Sequence, residues 1–264
     1  MPGKYEAYEK EVEGFLEKAI QKDLFEVWYQ PVYGLKEGRF VTMEALSRLK
    51  HPAFGWIPPD LFIMIAVQNG MIRRIMPLQL HRICKFIKKN PYFLTQLDSI
   101  KVNLSPGELA EPGYCEKLLA IIKGYGLPCS WFQFEVTETT VTRYTQTLRE
   151  SVRSFQKEGV RLCLDDFGSG YADLNAAINL PFSVIKLDRS LLQGICEKPA
   201  ASLFYKNIAS ILKDMGYKVV AEGAENKEEV ELLRKWNVDM IQGYYFSHPL
   251  PPEELIKLAI PSEK

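Results

Sequence analysis

The 264-residue chain has no apolar run long enough to cross a bilayer, and Met1 to Lys22 alternates charge with apolar residues, without the apolar core of a secretory signal. Histidine is scarce. His51, His81 and His248 are the only three and form no zinc-ligand pattern. Five cysteines (Cys84, Cys115, Cys129, Cys163, Cys196) are odd in number and lack C-x-x-C spacing, which argues against a disulfide framework and for reduced, mostly buried thiols in a cytoplasmic setting. Net charge is absent too: 33 Lys and Arg balance 33 Asp and Glu, so no global positive field exists to hold long nucleic acid or an anionic membrane. Any anionic ligand must be caught locally. No internal repeat and no Pro/Gly/Ser linker divides the chain.

What is present is a globular composition with 47% hydrophobic residues, enough for one barrel-sized core. Tyr8, Val12, Phe15, Leu16, Ala19 and Ile20 share one helical face, so residues 1–23 read as a lead-in helix or linker remnant before a domain spanning 24–264. Strand-like runs at Leu24 to Tyr33 and Arg39 to Ser47, separated by Gly34, Lys36 and Gly38, form an expected antiparallel hairpin. Helices around Asp60 to Lys89 follow. Strands and helices then alternate to a last strand near Met240 to Tyr245, and Pro251 and Pro252 open a short helix. Eight strands in this order predict an α/β fold, a TIM-like (β/α)8 barrel with one antiparallel strand.

Barrel strands should be apolar, yet seven carry polar or charged residues near their C-terminal ends: Glu44, Asn103, Glu135, Asp165 with Asp166, Lys186, Glu222 and Gln242. Any one of them alone reads better as a helix cap or turn residue than as part of a site. Seven in succession point to a site, because Glu and Gln are weak caps and barrels carry their active sites at that end. Five carboxylates and an amide oxygen make a hard donor set suited to Mg²⁺ or Mn²⁺. Their mutual repulsion calls for cations, and adjacent Asp165 and Asp166 are placed to bridge two ions about 3.5–4 Å apart. Lys186 is read either as orienting a water or holding a phosphate oxygen, or as an internal salt bridge to Asp188 or Glu222. Arg48, four residues beyond Glu44, is a candidate phosphate clamp or an ordinary surface residue.

These residues fall in order on the motifs of a known family. Glu44-Ala45-Leu46-Ser47-Arg48 resembles the signature of EAL-domain cyclic di-GMP phosphodiesterases. Tyr29-Gln30-Pro31-Val32, Val102-Asn103-Leu104-Ser105, Glu135-Val136-Thr137-Glu138 and Asp165-Asp166-Phe167-Gly168-Ser169-Gly170-Tyr171 resemble successive family segments. Ile185-Lys186-Leu187-Asp188, Ala221-Glu222-Gly223-Ala224-Glu225 and Gln242-Gly243-Tyr244 complete the series. The resemblance implies metal-dependent hydrolysis of cyclic di-GMP to linear pGpG with Mg²⁺ or Mn²⁺, two ions in number. It implies Glu44, Asn103, Glu135 and Asp165 on one ion and Asp165, Asp166 and Glu222 on the second. Lys186, Glu222 and Glu44 become the catalytic set; Gln30, Arg48 and Gln242 contact substrate or support the site, and Glu138 braces the glycine-rich loop. A homodimer, and a GGDEF or sensor domain in a longer native chain, are further implications. The chain departs from the family pattern at Ala172 and Asp173, at Leu49 where an aromatic residue is common, and at Val67-Gln68. The rival function is a non-catalytic cyclic di-GMP receptor.

Overall fold

A computed structural model of the chain describes residues 2–137, 146–169 and 180–259. In chain order the elements are α1 (Pro2–Gln21), β1 (Phe25–Gly34), β2 (Arg39–His51), β3 (Gly55–Ile57), α2 (Pro59–Gln68), α3 (Ile72–Lys89), α4 (Phe93–Gln96), β4 (Ser99–Asn103), α5 (Pro106–Leu109) and α6 (Tyr114–Gly124). They continue with β5 (Phe132–Thr137), α7 (Gln146–Lys157), β6 (Arg161–Phe167), β7 (Phe182–Leu187), α8 (Pro199–Asp214), β8 (Lys218–Glu222), α9 (Lys227–Lys235), β9 (Met240–Gln242) and α10 (Pro252–Ala259).

Strands β2, β4, β5, β6, β7, β8 and β9 pair in parallel in that order, and β1 closes the circle by pairing antiparallel with both β2 and β9. The expected barrel with one inverted strand is therefore present. The hairpin β1–β2 pairs from Phe25↔Leu49 to Gly34↔Arg39 with one register shift between Val32 and Tyr33, whereas β4 pairs with β2 only from Thr42 to Ala45. Past Ala45 the hairpin leaves the barrel wall as a two-stranded ribbon, widened by β3 on its free edge.

Strand alternation sorts the core into layers. Inside the barrel, Cys163, Val184, Val220 and Met240 belong to a small apolar cluster, each two residues before Asp165, Lys186, Glu222 and Gln242. The main core fills the space between strands and helices, with Phe134 stacked face to face on Phe155 at 4.7 Å. A second core joins Val12, Phe15, Leu16, Ala19 and Ile20 of α1 to Leu61, Phe62 and Ile65 of α2 and to Phe25, Leu49 and Ile57 on the back of the ribbon. Leu49, where the family pattern favours an aromatic residue, is fully buried there.

The helices expected around Asp60 to Lys89 are α2 and α3, parted where Gly70 takes a left-handed φ of 67°. Two elements differ from the sequence reading. Strand β3 is three residues long and gives too short a pattern to signal itself. The last strand stops at Gln242 instead of Tyr245, since the chain turns at Gly243, whose carbonyl accepts from the Phe246 and Ser247 N–H groups at 3.1 and 3.2 Å.

Leu16 is fully buried between α1 and its neighbours, so Leu16→Ala should lower unfolding stability by about 2–5 kcal/mol. A urea midpoint equal to that of the parent protein would mean that α1 contributes nothing to the fold.

Candidate active site

Each polar residue of the ring reaches the same end of the barrel from its own strand. Glu44 (β2), Glu135 (β5), Asp165 (β6), Lys186 (β7) and Gln242 (β9) are buried. Asn103 ends β4, and Glu222 ends β8 in parallel register with Gln242. Glu44 sits in the middle of β2, not near its end, because the strand continues into the ribbon.

The Lys186 ammonium is the hub. Its Nζ donates to Glu44 Oε2 at 3.2 Å and Glu135 Oε2 at 3.1 Å, and lies 2.9 Å from Asp165 Oδ1 and 2.8 Å from Glu222 Oε1. Of the two internal partners considered for Lys186, the geometry selects Glu222. Asn103 Nδ2 donates to Glu44 Oε1 at 2.6 Å, and Gln242 Nε2 donates to Glu44 Oε2 at 2.6 Å and to Gln30 Oε1 at 3.1 Å. Gln30, directly opposite Glu44 in the hairpin, in turn donates to the Ser247 carbonyl at 3.1 Å.

One member was not anticipated. Lys101 of β4 is fully buried, with Nζ 3.2 Å from Glu135 Oε1. The available signal was its place two residues before Asn103, hence on the same face.

Two consecutive residues of a regular strand face opposite sides. Asp166 escapes this rule through a left-handed φ of 56°, within the irregular pairing between Leu164 and Phe167. Asp165, Asp166 and Glu222 consequently offer ligand atoms that all lie within 4.8 Å of one another. Gly223, at a φ of 77°, follows Glu222 and donates to the Gln242 carbonyl at 2.7 Å, fixing the end of β8. Strain of this kind gathers at functional sites.

Electrostatically the ring is overloaded with acid. Burial would raise the Glu44 carboxyl, but Lys186, the Gln242 and Asn103 amides and Lys101 outweigh it and hold the group down at about 2. The other acids go the opposite way. Burial, then repulsion from Glu44, pushes Glu135 up to about 7; burial, then Asp165, pushes Asp166 up to about 6. Glu222 rises to about 8, mainly through burial. Lys186 stays firmly protonated: burial opposes its charge, but Asp165, Glu135, Glu222 and Glu44 overcome that cost. The site fits a divalent cation on two counts. Its donors are hard oxygens, and Asp165 Oδ1 is buried without an aligned hydrogen-bond donor although Lys186 is near.

Arg48 is half-buried; burial lowers its pKa, while the neighbouring Glu44 and Tyr244 act to raise it. It is therefore close to the ring and not a free surface side chain. Glu138, Ala172 and Asp173 lie outside the described residues. No described helix is long and apolar enough to cross a membrane.

A family model described as the EAL domain matches residues 14–249. Among curated proteins the chain is 30% identical over 243 residues to the cyclic di-GMP phosphodiesterase NbdA of Pseudomonas aeruginosa, covering 92% of this chain and 31% of NbdA. It is 28% identical to the cyclic di-GMP phosphodiesterase RocR of the same organism, covering 90% of this chain and 61% of RocR. The chain spans about a third of the length of the first curated relatives it matches, 35%, 29% and 31% for three of them. Among solved structures, the PaMucR phosphodiesterase in its c-di-GMP complex superposes with a TM-score of 0.85 at 27% identity, covering 93% of this chain and 99% of the other.

The pKa directions give a signed expectation. Above about pH 5 the folded, metal-free protein still holds protons that the unfolded chain has released, on Asp166 up to about 6, on Glu135 up to about 7 and on Glu222 up to about 8, so stability falls as pH rises toward 8. A divalent ion displaces those protons, so the Tm gained on adding Mg²⁺ or Mn²⁺ should be larger at pH 8 than at pH 6. Thermal melts in EDTA and in each ion measure both; a flat EDTA profile would refute the assignment. Lys101→Met, which strips Glu135 of one of its two ammonium partners, should cost about 3–5 kcal/mol in the same melts at pH 8.

Proposed function

The chain belongs to the EAL domain family, and from that premise we propose that it is a cyclic-dinucleotide phosphodiesterase that hydrolyses cyclic di-GMP to linear pGpG. The observation that carries this reading is the intact acidic ring. Four carboxylates converge on one ammonium at the end of the barrel, and a fifth, Asp166, joins two of them; each position that the resemblance assigns to metal holds an oxygen donor.

Glu44, Asn103, Glu135 and Asp165 would hold one ion, and Asp165, Asp166 and Glu222 a second, Mg²⁺ or Mn²⁺ in either case. When bound, such ions make water more acidic, to a pKa of about 7 in favourable sites, and offset charge on the phosphoryl oxygens. The remaining work belongs to the chain. Lys186 would orient the attacking water, since its ammonium already reaches both halves of the carboxylate set. Arg48 would meet a phosphate oxygen and steady the charge that develops during displacement. Gln242 and Gln30 would hold the Glu44 carboxylate and the substrate in register. Glu138 would brace the loop that follows Asp165 and Asp166.

The ring argues against the receptor alternative, because a module that only binds has no need of a carboxylate set whose repulsion must be neutralised by cations. We further propose cytoplasmic action, as a homodimer and as the catalytic part of a longer chain with a GGDEF or sensor domain.

Incubation of the protein with cyclic di-GMP and Mg²⁺ or Mn²⁺, followed by nucleotide chromatography, should yield pGpG, with none formed in EDTA. Glu44→Gln should lower kcat by at least about a hundredfold with the fold retained. Cyclic di-GMP bound but left intact by the parent protein would replace the hydrolase reading with the receptor one.

A further inference from the structure

The ribbon carries chemistry that metal binding and hydrolysis do not use. Opposed pairs in an antiparallel hairpin share a face, so Gln30↔Glu44, Trp28↔Leu46 and Glu26↔Arg48 lie on one side, and Lys50↔Trp56 continues it onto β3. The face that presents Glu44 to the ring therefore presents two tryptophans and two cations further out. At about 3.3 Å per residue, the Trp28 register lies about 7 Å beyond Glu44 along the strand.

The indoles touch, with ring centres 5.4 Å apart and planes at 72°. Trp28 is anchored by its Nε1 donating to Glu26 Oε2 at 3.2 Å. The Arg48 guanidinium stands 5.5 Å from the Trp28 ring centre, and the Lys50 ammonium 5.5 Å from that of Trp56. Trp56 leaves 43% of its surface exposed, a costly position for so large an apolar side chain. The reverse face of the same ribbon is closed: Phe25, Leu49 and Ile57 are buried against α1 and α2. Packing thus explains one face and leaves the other open toward the site.

We propose that Trp28 and Trp56 form a stacking wall for one purine base of the substrate, with Arg48 and Lys50 set to meet the phosphates on either side of that nucleotide. The proposal rests on the cyclic-dinucleotide reading and names how this chain recognises it. An aromatic plane takes a base through its π face, and flanking cations both steady the indoles and attract the anionic backbone. The wall starts beside Glu44 and runs outward, the direction in which a base projects when its phosphate lies at the carboxylates. Trp28 and Trp56 are accordingly specificity residues, remote from the bond that breaks.

The test compares Trp28→Ala, Trp56→Ala and the matching phenylalanine variants with the parent protein, each checked for an unchanged Tm. Readouts are KM and kcat for cyclic di-GMP with Mg²⁺, and Kd by calorimetry with Ca²⁺ in its place. Each alanine variant should raise KM and Kd about five- to fiftyfold with kcat nearly unchanged, and phenylalanine should recover most of the loss. Quenching of tryptophan emission by the ligand should shrink in Trp56→Phe. If the parent cleaves cyclic di-GMP and the alanine variants bind and cleave it equally well, the wall is overturned and the hydrolase reading stands. If the parent binds without cleaving and the alanine variants bind more weakly, the wall stands and the hydrolase reading fails. If the parent neither binds nor cleaves it, both fall together.

Discussion

Everything at the mouth of the barrel answers to one imbalance: five carboxylates share a largely buried space with two ammonium groups, Lys186 and Lys101. Buried like charges cannot all ionise, and the chain resolves this unequally. Glu44, which receives the amides of Asn103 and Gln242 as well as Lys186, stays ionised. Glu135, Asp166 and Glu222 are left with raised pKa values. The excess of acid that disfavours the metal-free protein would favour a bound cation, so stability and cation affinity would draw on the same set of groups.

The rest of the fold follows from having to hold those groups still. Parallel strands deliver Glu135, Asp165, Lys186, Glu222 and Gln242 to one end of the barrel, the last four each one alternation above its apolar filling. The inverted strand β1 adds something a regular barrel lacks. By pairing with β2 along its whole length, it lets the hairpin outgrow the wall and stand over the site. A two-stranded ribbon is marginal alone; α1 and α2 make it rigid by packing on its back. Helix α1 is therefore connected to the carboxylate ring through one strand pair, with hydrophobic contacts on one face and Glu44 on the other.

Most of the barrel was legible in the sequence because its strands alternate with amphipathic helices and its polar residues interrupt apolar runs. The ring was legible for the same reason: Glu135 within Phe132-Gln133-Phe134-Glu135-Val136 has no place in a core unless it does something. Lys101 was missed, since a lone lysine in a short strand resembles a solvated residue until the closed barrel brings its ammonium to Glu135. The tryptophan pair was also invisible, because its partners lie on β1 and β3 and the contact exists only once β3 turns back on β2. Asp166 was chosen for its charge; that it must take a left-handed conformation to join Asp165 is a property of the irregular strand and leaves no compositional trace.

Lys186 shows why the same residues look structural and catalytic at once. An ammonium within 3.2 Å of four carboxylates is, by distance alone, a buried salt-bridge hub. Buried pairs of this kind add little net stability over an apolar replacement, and removing one partner costs far more than the pair gains. A hub so expensive to maintain is poorly explained by folding, which Leu or Met in the same space would serve as well. It is well explained by chemistry that needs a fixed positive charge beside oxygen ligands that cations can claim. With cations held by Asp165, Glu135 and Glu222, the Lys186 ammonium would be free to donate to a water instead of to those carboxylates. The structural cost of the hub and its proposed catalytic use are thus two consequences of one arrangement.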